Sequence, residues 1–368
     1  MSSSMTQLAE TTFVKKLQMA GIATATVGIV LSIVGVMTDM HRFLFDYLIA
    51  FVFWGGIAVT AVFFSMLQFL TRSGWSTAVR RIPELLGGFT PFLLVLLLPI
   101  VFGVGELYHH WVHPEAGDVV MAGKQPWLNT PFFIIRLFVY VAIWIGMYFF
   151  IVGNSIRQDS RKDITLTRRN WKFSAPITIF YGITITFAAF DLLMSLYPHW
   201  FSTIFGVFYS EGSLVGALAV ITLVMIMLRR AGLLSEWLTM DRFHDLGKLL
   251  FAFNVFWAYI AFSQYLLIWY ADLPEETIFF TYRMNHGWEY VSIALLVVHF
   301  VVPFVLLLSE NAKRNLNVLG AGAVILLFAH LIDMFWLVMP NFNHDMVVLG
   351  WMEFAPVLAL GGIFMVVT

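Results

Sequence analysis

The sequence contains no cysteine. That excludes disulfides, iron–sulfur ligation by this chain, thiolate catalysis and covalent attachment of haem c. Charge is scarce as well. Only 12% of the 368 residues are Asp, Glu, Lys or Arg, about half of the ~25% carried by ordinary globular chains. The formal net charge is −1, so no basic field points to nucleic acid, and no nucleic-acid partner is expected. No P-loop, HExxH or nucleophile-elbow pattern occurs, which argues against hydrolytic chemistry. What remains is apolar: 60% hydrophobic residues, 37 of them phenylalanine. This composition predicts an all-α integral membrane protein.

A membrane-spanning helix needs roughly 20 apolar residues. Ten such runs are predicted, at about 17–37, 46–70, 85–105, 131–152, 173–197, 210–228, 248–270, 289–308, 315–338 and 347–368. Pro83, Pro91 and Pro99 make the third the least regular. The first run follows Lys15 and Lys16 and is longer than the 7–15-residue core of a signal peptide, so it is read as a retained helix. Ten helices place both termini on one side. Of the 21 Lys and Arg residues, 17 then fall on that side; Arg42, Lys124 and Arg283 lie opposite, and Arg136 sits just inside the fourth helix. The positive-inside rule makes the crowded side cytoplasmic. The longest outer segment, GELYHHWVHPEAGDVVMAGKQPWLNT, is too short for a domain and is expected to lie along the surface or to dock a partner.

The end of the fifth helix, FAAFDLLMSLYP, and the end of the ninth, HLIDMFWLVMP, both carry Asp-x6-Pro: Asp191 to Pro198 and Asp333 to Pro340. The two helices run in the same direction and stand four apart. This predicts two parallel four-helix units plus two peripheral helices. The organisation is 1–45 with the first helix, 46–198 as the first bundle, 199–340 as the second, and 341–368 as the tenth helix. Seven residues at 1.5 Å each put both acids about 10 Å inside the outer helix ends.

A charge near the bilayer interior costs at least ~2.5–3.5 kcal/mol. Two readings explain why this chain carries a pair of them. Each Asp can be interhelical glue or an end cap, or it can serve as a proton relay or a hydrogen-bond partner for a quinone. His330 lies one turn before Asp333, and His299 lies mid-way along the eighth helix; either is a relay group or a satisfied core histidine. The seventh helix carries Asn254, Tyr259 and Tyr265 as glue or as a hydrogen-bonded wire. Thr184 falls two turns before Asp191. Arg136 can snorkel outward or pair with Asp191 or Glu106. A dihaem cytochrome b would need four histidines at membrane depth, and only His299 and His330 qualify.

The segments FAFNVFWAYIAFSQYLLIWYADLPEETIFF, WEYVSIALLVVHFVVPFVLLLS, AHLIDMFWLVMP and LLMSLYPHWFSTIFGVFYSEGS resemble the F subunit of bacterial alternative complex III. That family is similar to the NrfD and polysulfide-reductase type of membrane subunit. The resemblance covers helix 2 to helix 10 and implies a ten-helix fold with two four-helix bundles in the bacterial inner membrane. It also implies a complex that oxidises quinol or menaquinol and passes electrons through iron–sulfur and haem c subunits to cytochrome c or a similar carrier. This chain would bind no redox cofactor of its own, and the related C subunit is the better candidate for the quinol site. The expectation is therefore a subunit with a proton-conducting interior. The rivals are a structural or quinone-docking subunit without proton movement, and an autonomous secondary transporter. Transporters usually break helices at the midplane, whereas these prolines cluster at helix ends except in the third helix.

Overall fold

The computed structural model describes residues 3–161, 163–234 and 236–368, with side chains from Thr12 onward except at position 78. Lys162, one of the 17 loop cations counted above, lies outside the described residues. Among these residues the chain is helical, with no strand. The main helices are α1 (Ser3–Thr38), α2 (Met40–Leu70), α3 (Arg81–Phe102, interrupted), α4 (Thr130–Arg161), α5 (Ile164–Leu192), α6 (Phe205–Arg230), α7 (Met240–Ala271), α8 (Trp288–Leu307), α9 (Leu316–Val338) and α10 (Phe354–Val367). Nine of them are long and apolar enough to cross a membrane. The chain is thus a multi-span membrane protein.

The third helix is the broken one, as its prolines predict. It passes from α-helix through a 3₁₀ stretch at Gly87–Phe92 containing Pro91, and regains α-helix before Pro99. Each proline removes a backbone donor and clashes with the turn behind it. The tenth helix differs from expectation. It begins at Phe354 rather than near 347 and has 14 residues, about 21 Å at 1.5 Å per residue against a ~30 Å hydrocarbon core. Asn343 takes the N–H groups of Asp345 and Met346 on its side chain, and Glu353 takes that of Gly350. These bonds hold the preceding residues as a loop. The fifth helix starts earlier than predicted and its α-helical part also ends earlier. It ends at Leu192, followed by a 3₁₀ turn at Met194–Leu196, so Asp191 lies in its last turn. Asp333 instead sits five residues before the end of α9.

Helices α2 to α5 pack on one another, as do α6 to α9. The two groups meet where α2 and α5 contact α6 and where α2 contacts α9. Helix α1 lies outside both groups against α10, antiparallel to it. There the backbones touch: a Cβ added at Gly28 would lie 2.1 Å from Ala359 N, and one at Gly362 would lie 2.2 Å from Ala25 N. Close approach of small residues is how membrane helices gain contact without a hydrophobic driving force. Gly28→Ala should therefore force the pair apart and lower stability by about 1–3 kcal/mol, the usual cost of overpacking. Gly146→Ala is the control, since nothing lies within 4 Å of that position. Unfolding in mixed micelles checks this, and equal stability of the two variants would refute the packing argument.

Candidate functional site: two buried acids with different surroundings

Asp191 is fully buried and fully partnered. Arg136 on α4 grips it with two bonds, Nε to Oδ2 and Nη2 to Oδ1, both 2.8 Å. The Tyr140 hydroxyl donates to Oδ2 at 2.8 Å and the Trp127 indole N–H to Oδ1 at 3.1 Å. Arg136 also donates to the Trp127 carbonyl and lies over the Trp127 ring. Of the partners left open for Arg136, the structure selects Asp191. The outer segment expected to lie on the surface folds over this pair. Lys124 donates to the Pro198 carbonyl, Tyr108 to the Leu192 carbonyl, and Asp118 meets His199 at 2.6 Å. The Met121 N–H and His199 hold the Asp118 carboxyl below the usual carboxylate range.

Asp333 is equally buried but has no cation. Its Oδ2 accepts the Trp257 indole N–H at 3.2 Å, and its Oδ1 has no protein partner. His299, His330 and Asp333 each present a ligand-type atom, all within 4.8 Å of one another. His330 has no protein partner on either ring nitrogen. His299 pairs through Nδ1 with Asn254 Oδ1 at 3.3 Å and leaves Nε2 free. The Trp257 ring stacks on His299 with centroids 3.6 Å apart.

Local structure makes room for this cluster. Gly212 and Gly216 on α6 face His330. A Cβ at Gly216 would lie 2.9 Å from its Cδ2, and one at Gly212 would lie 3.1 Å from its Nδ1. Helix α8 opens into a π-helical turn over Leu296–Val301, which carries His299. Such wide turns recur at functional sites because they re-aim a side chain. On another face of α6, Ser210 places its hydroxyl 3.2 Å from that of Tyr181; Tyr181 in turn lies 3.0 Å from Thr60. A band of hydroxyls thus joins α2, α5 and α6.

The structure brings Asp333, His330, His299 and Asn254 together. It places Thr184 elsewhere, taking the Trp144 indole N–H at 2.9 Å and donating to the Phe180 carbonyl. Tyr265 is half-buried, edge-on to Phe280. Tyr259 requires a correction: it is 62% exposed and points away from the interior. At 100° per residue it lies about 140° around α7 from Asn254. Sequence reasoning missed Trp257, Trp127 and Tyr140, the donors on the two acids. It also missed three further acids: Asp46, buried with no hydrogen bond on either oxygen; Glu84, held by Arg81 and Ser155; and Glu211, whose Oε2 has none. Glu353 pairs with Arg42, which also lies 3.8 Å from Asp46. The paired glycines on α6 were legible as a close-packing signal.

Compared with known proteins, the chain matches no family model and no curated protein.

Proposed function

We propose that this chain is an integral subunit of a respiratory quinol:cytochrome c oxidoreductase of the alternative complex III type, and that its interior carries protons. The observation that supports proton handling is the buried cluster of Asp333, His330 and His299, with four of its polar atoms lacking protein partners. A carboxyl group and a neutral imidazole within 4.8 Å of one another can exchange a proton through a bridging water. The membrane setting rests on the nine long apolar helices. In this reading the chain lies in the bacterial inner membrane with both termini cytoplasmic, beside partner subunits that hold iron–sulfur clusters and haem c. The segments of α7 to α9 resembling the F subunit support the choice of complex.

A quinone-docking role without proton movement has one observation in its favour. A recess of about 370 Å³ opens between α2, α8, α9 and the start of α10, lined by Ile49, Val291, Phe328, Leu331 and Phe335 with Glu353 at one side. It is shaped for an apolar tail.

Mild-detergent purification from the native membrane tests the assignment. The chain should arrive with haem c absorbance and iron–sulfur signals, at fixed stoichiometry to quinol-oxidising activity. A chain that purifies alone and exchanges a solute in vesicles would establish the transporter instead.

A further inference from the structure

We propose that His299, His330 and Asp333 form a three-ligand site for a divalent transition-metal ion, with Zn²⁺ as the best match. This goes beyond the proton-carrying reading and stands whether or not protons pass the same residues.

Three features carry it. The first is the donor set. Two imidazole nitrogens and one carboxylate oxygen suit Zn²⁺ and its first-row neighbours, whereas Mg²⁺ and Ca²⁺ prefer all-oxygen shells. The three donor atoms lie within 4.8 Å of one another. Bonds of ~2.0–2.2 Å to a common ion bring donors to within about 3.5 Å, so ring and carboxyl rotations of about 1 Å close the site.

The second feature is the outer support. Metal-bound histidines almost always engage their second nitrogen elsewhere, which fixes the tautomer. His299 does this: Nδ1 donates to Asn254 Oδ1, which leaves the Nε2 lone pair free toward the cluster. Asp333 follows the same pattern, with Oδ2 held by Trp257 and Oδ1 free.

The third feature is cost. Free polar atoms in a buried site each cost about 1–3 kcal/mol. Here His299 Nε2, both nitrogens of His330 and Asp333 Oδ1 are all buried and unpartnered, and one ligand atom from each of the three residues lies within 4.8 Å of the other two. The π-turn of α8 and the glycines of α6 are built around that point.

The test must remove a competing surface site. His109 and His113 lie one helical turn apart, with ring centroids 5.2 Å apart, in the outer segment. The background is therefore the full chain in its complex with His109→Ala and His113→Ala. After chelation, this protein is titrated with Zn²⁺ and, separately, with Co²⁺ as a spectroscopic probe. One Zn²⁺ per chain should remain after gel filtration, and Co²⁺ should give the strong visible bands of a four-coordinate site. His330→Ala and His299→Ala should each weaken binding by at least ~100-fold, and Asn254→Ala by ~10-fold. His199→Ala, which alters a surface pair, should change nothing. Where a variant fails to fold, the Co²⁺ spectrum of the background protein decides alone. No retained ion, a weak six-coordinate spectrum, or unchanged affinity in the two imidazole variants would overturn the assignment.

Discussion

Asp333→Asn is expected to abolish proton movement through the chain and to leave its fold intact. Asparagine keeps the shape of the side chain and can still accept the Trp257 indole N–H, now at 3.2 Å on Oδ2. It cannot take up or release a proton. Loss of a positioned acid–base group costs roughly 10²–10⁴-fold in the step it serves, so the proton-to-electron ratio of the reconstituted complex should fall to its background value. Stability should hold or rise slightly, because the variant removes an acid whose Oδ1 has no protein partner. The measurement is proton uptake and release by vesicles during quinol oxidation. A wild-type ratio in a folded Asp333→Asn complex would reduce this acid to helix packing.

Arg136→Met is expected to have the opposite character, with little to do with protons and much to do with folding. It leaves Asp191 buried beside Tyr140 and Trp127 with no countercharge. Breaking a buried ion pair from one side costs about 3–5 kcal/mol, enough to remove most of the assembled protein at growth temperature. Asp191→Asn strands the guanidinium and should also destabilise, though Arg136 keeps its bond to the Trp127 carbonyl. Combining the two changes should recover part of the loss, because neither charge is then orphaned. Such non-additivity is the signature of direct coupling. Yield and thermal stability of the two single variants and the double variant give the result; three additive, small effects would show that the pair contributes little.

These two predictions diverge although the sequence presents the two acids alike. Both stand seven residues before a proline that follows the end of its helix, and both turn out to take an indole N–H. Their matching spacing predicted matching roles. The structure separates them: α4 delivers Arg136 to one acid, and α8 and α9 bring two imidazoles to the other.

Several features were legible without coordinates. Helix length and hydropathy are properties of a contiguous stretch, because a span must satisfy its own backbone and cover its own length of hydrocarbon. Nine of the ten predicted spans, the break in the proline-bearing third helix and the polar face of α7 at Asn254 followed from that. The exposure of Tyr259 was also present in the helical period, five residues from Asn254. The ends of α5 and α10 were not, since side-chain caps and 3₁₀ turns terminate helices that hydropathy alone would extend.

The sequence by itself determined that this chain is a membrane-spanning helical protein, and that Asp191, Asp333, His299 and His330 lie within its apolar helices. Only the tertiary structure decided what those residues do to one another. Which guanidinium closes on which carboxylate, and which imidazoles stay free, depends on the neighbours each helix packs against. Those contacts join residues 45 to 76 positions apart, such as Arg136 with Asp191 and Trp257 with Asp333, and no local period encodes them.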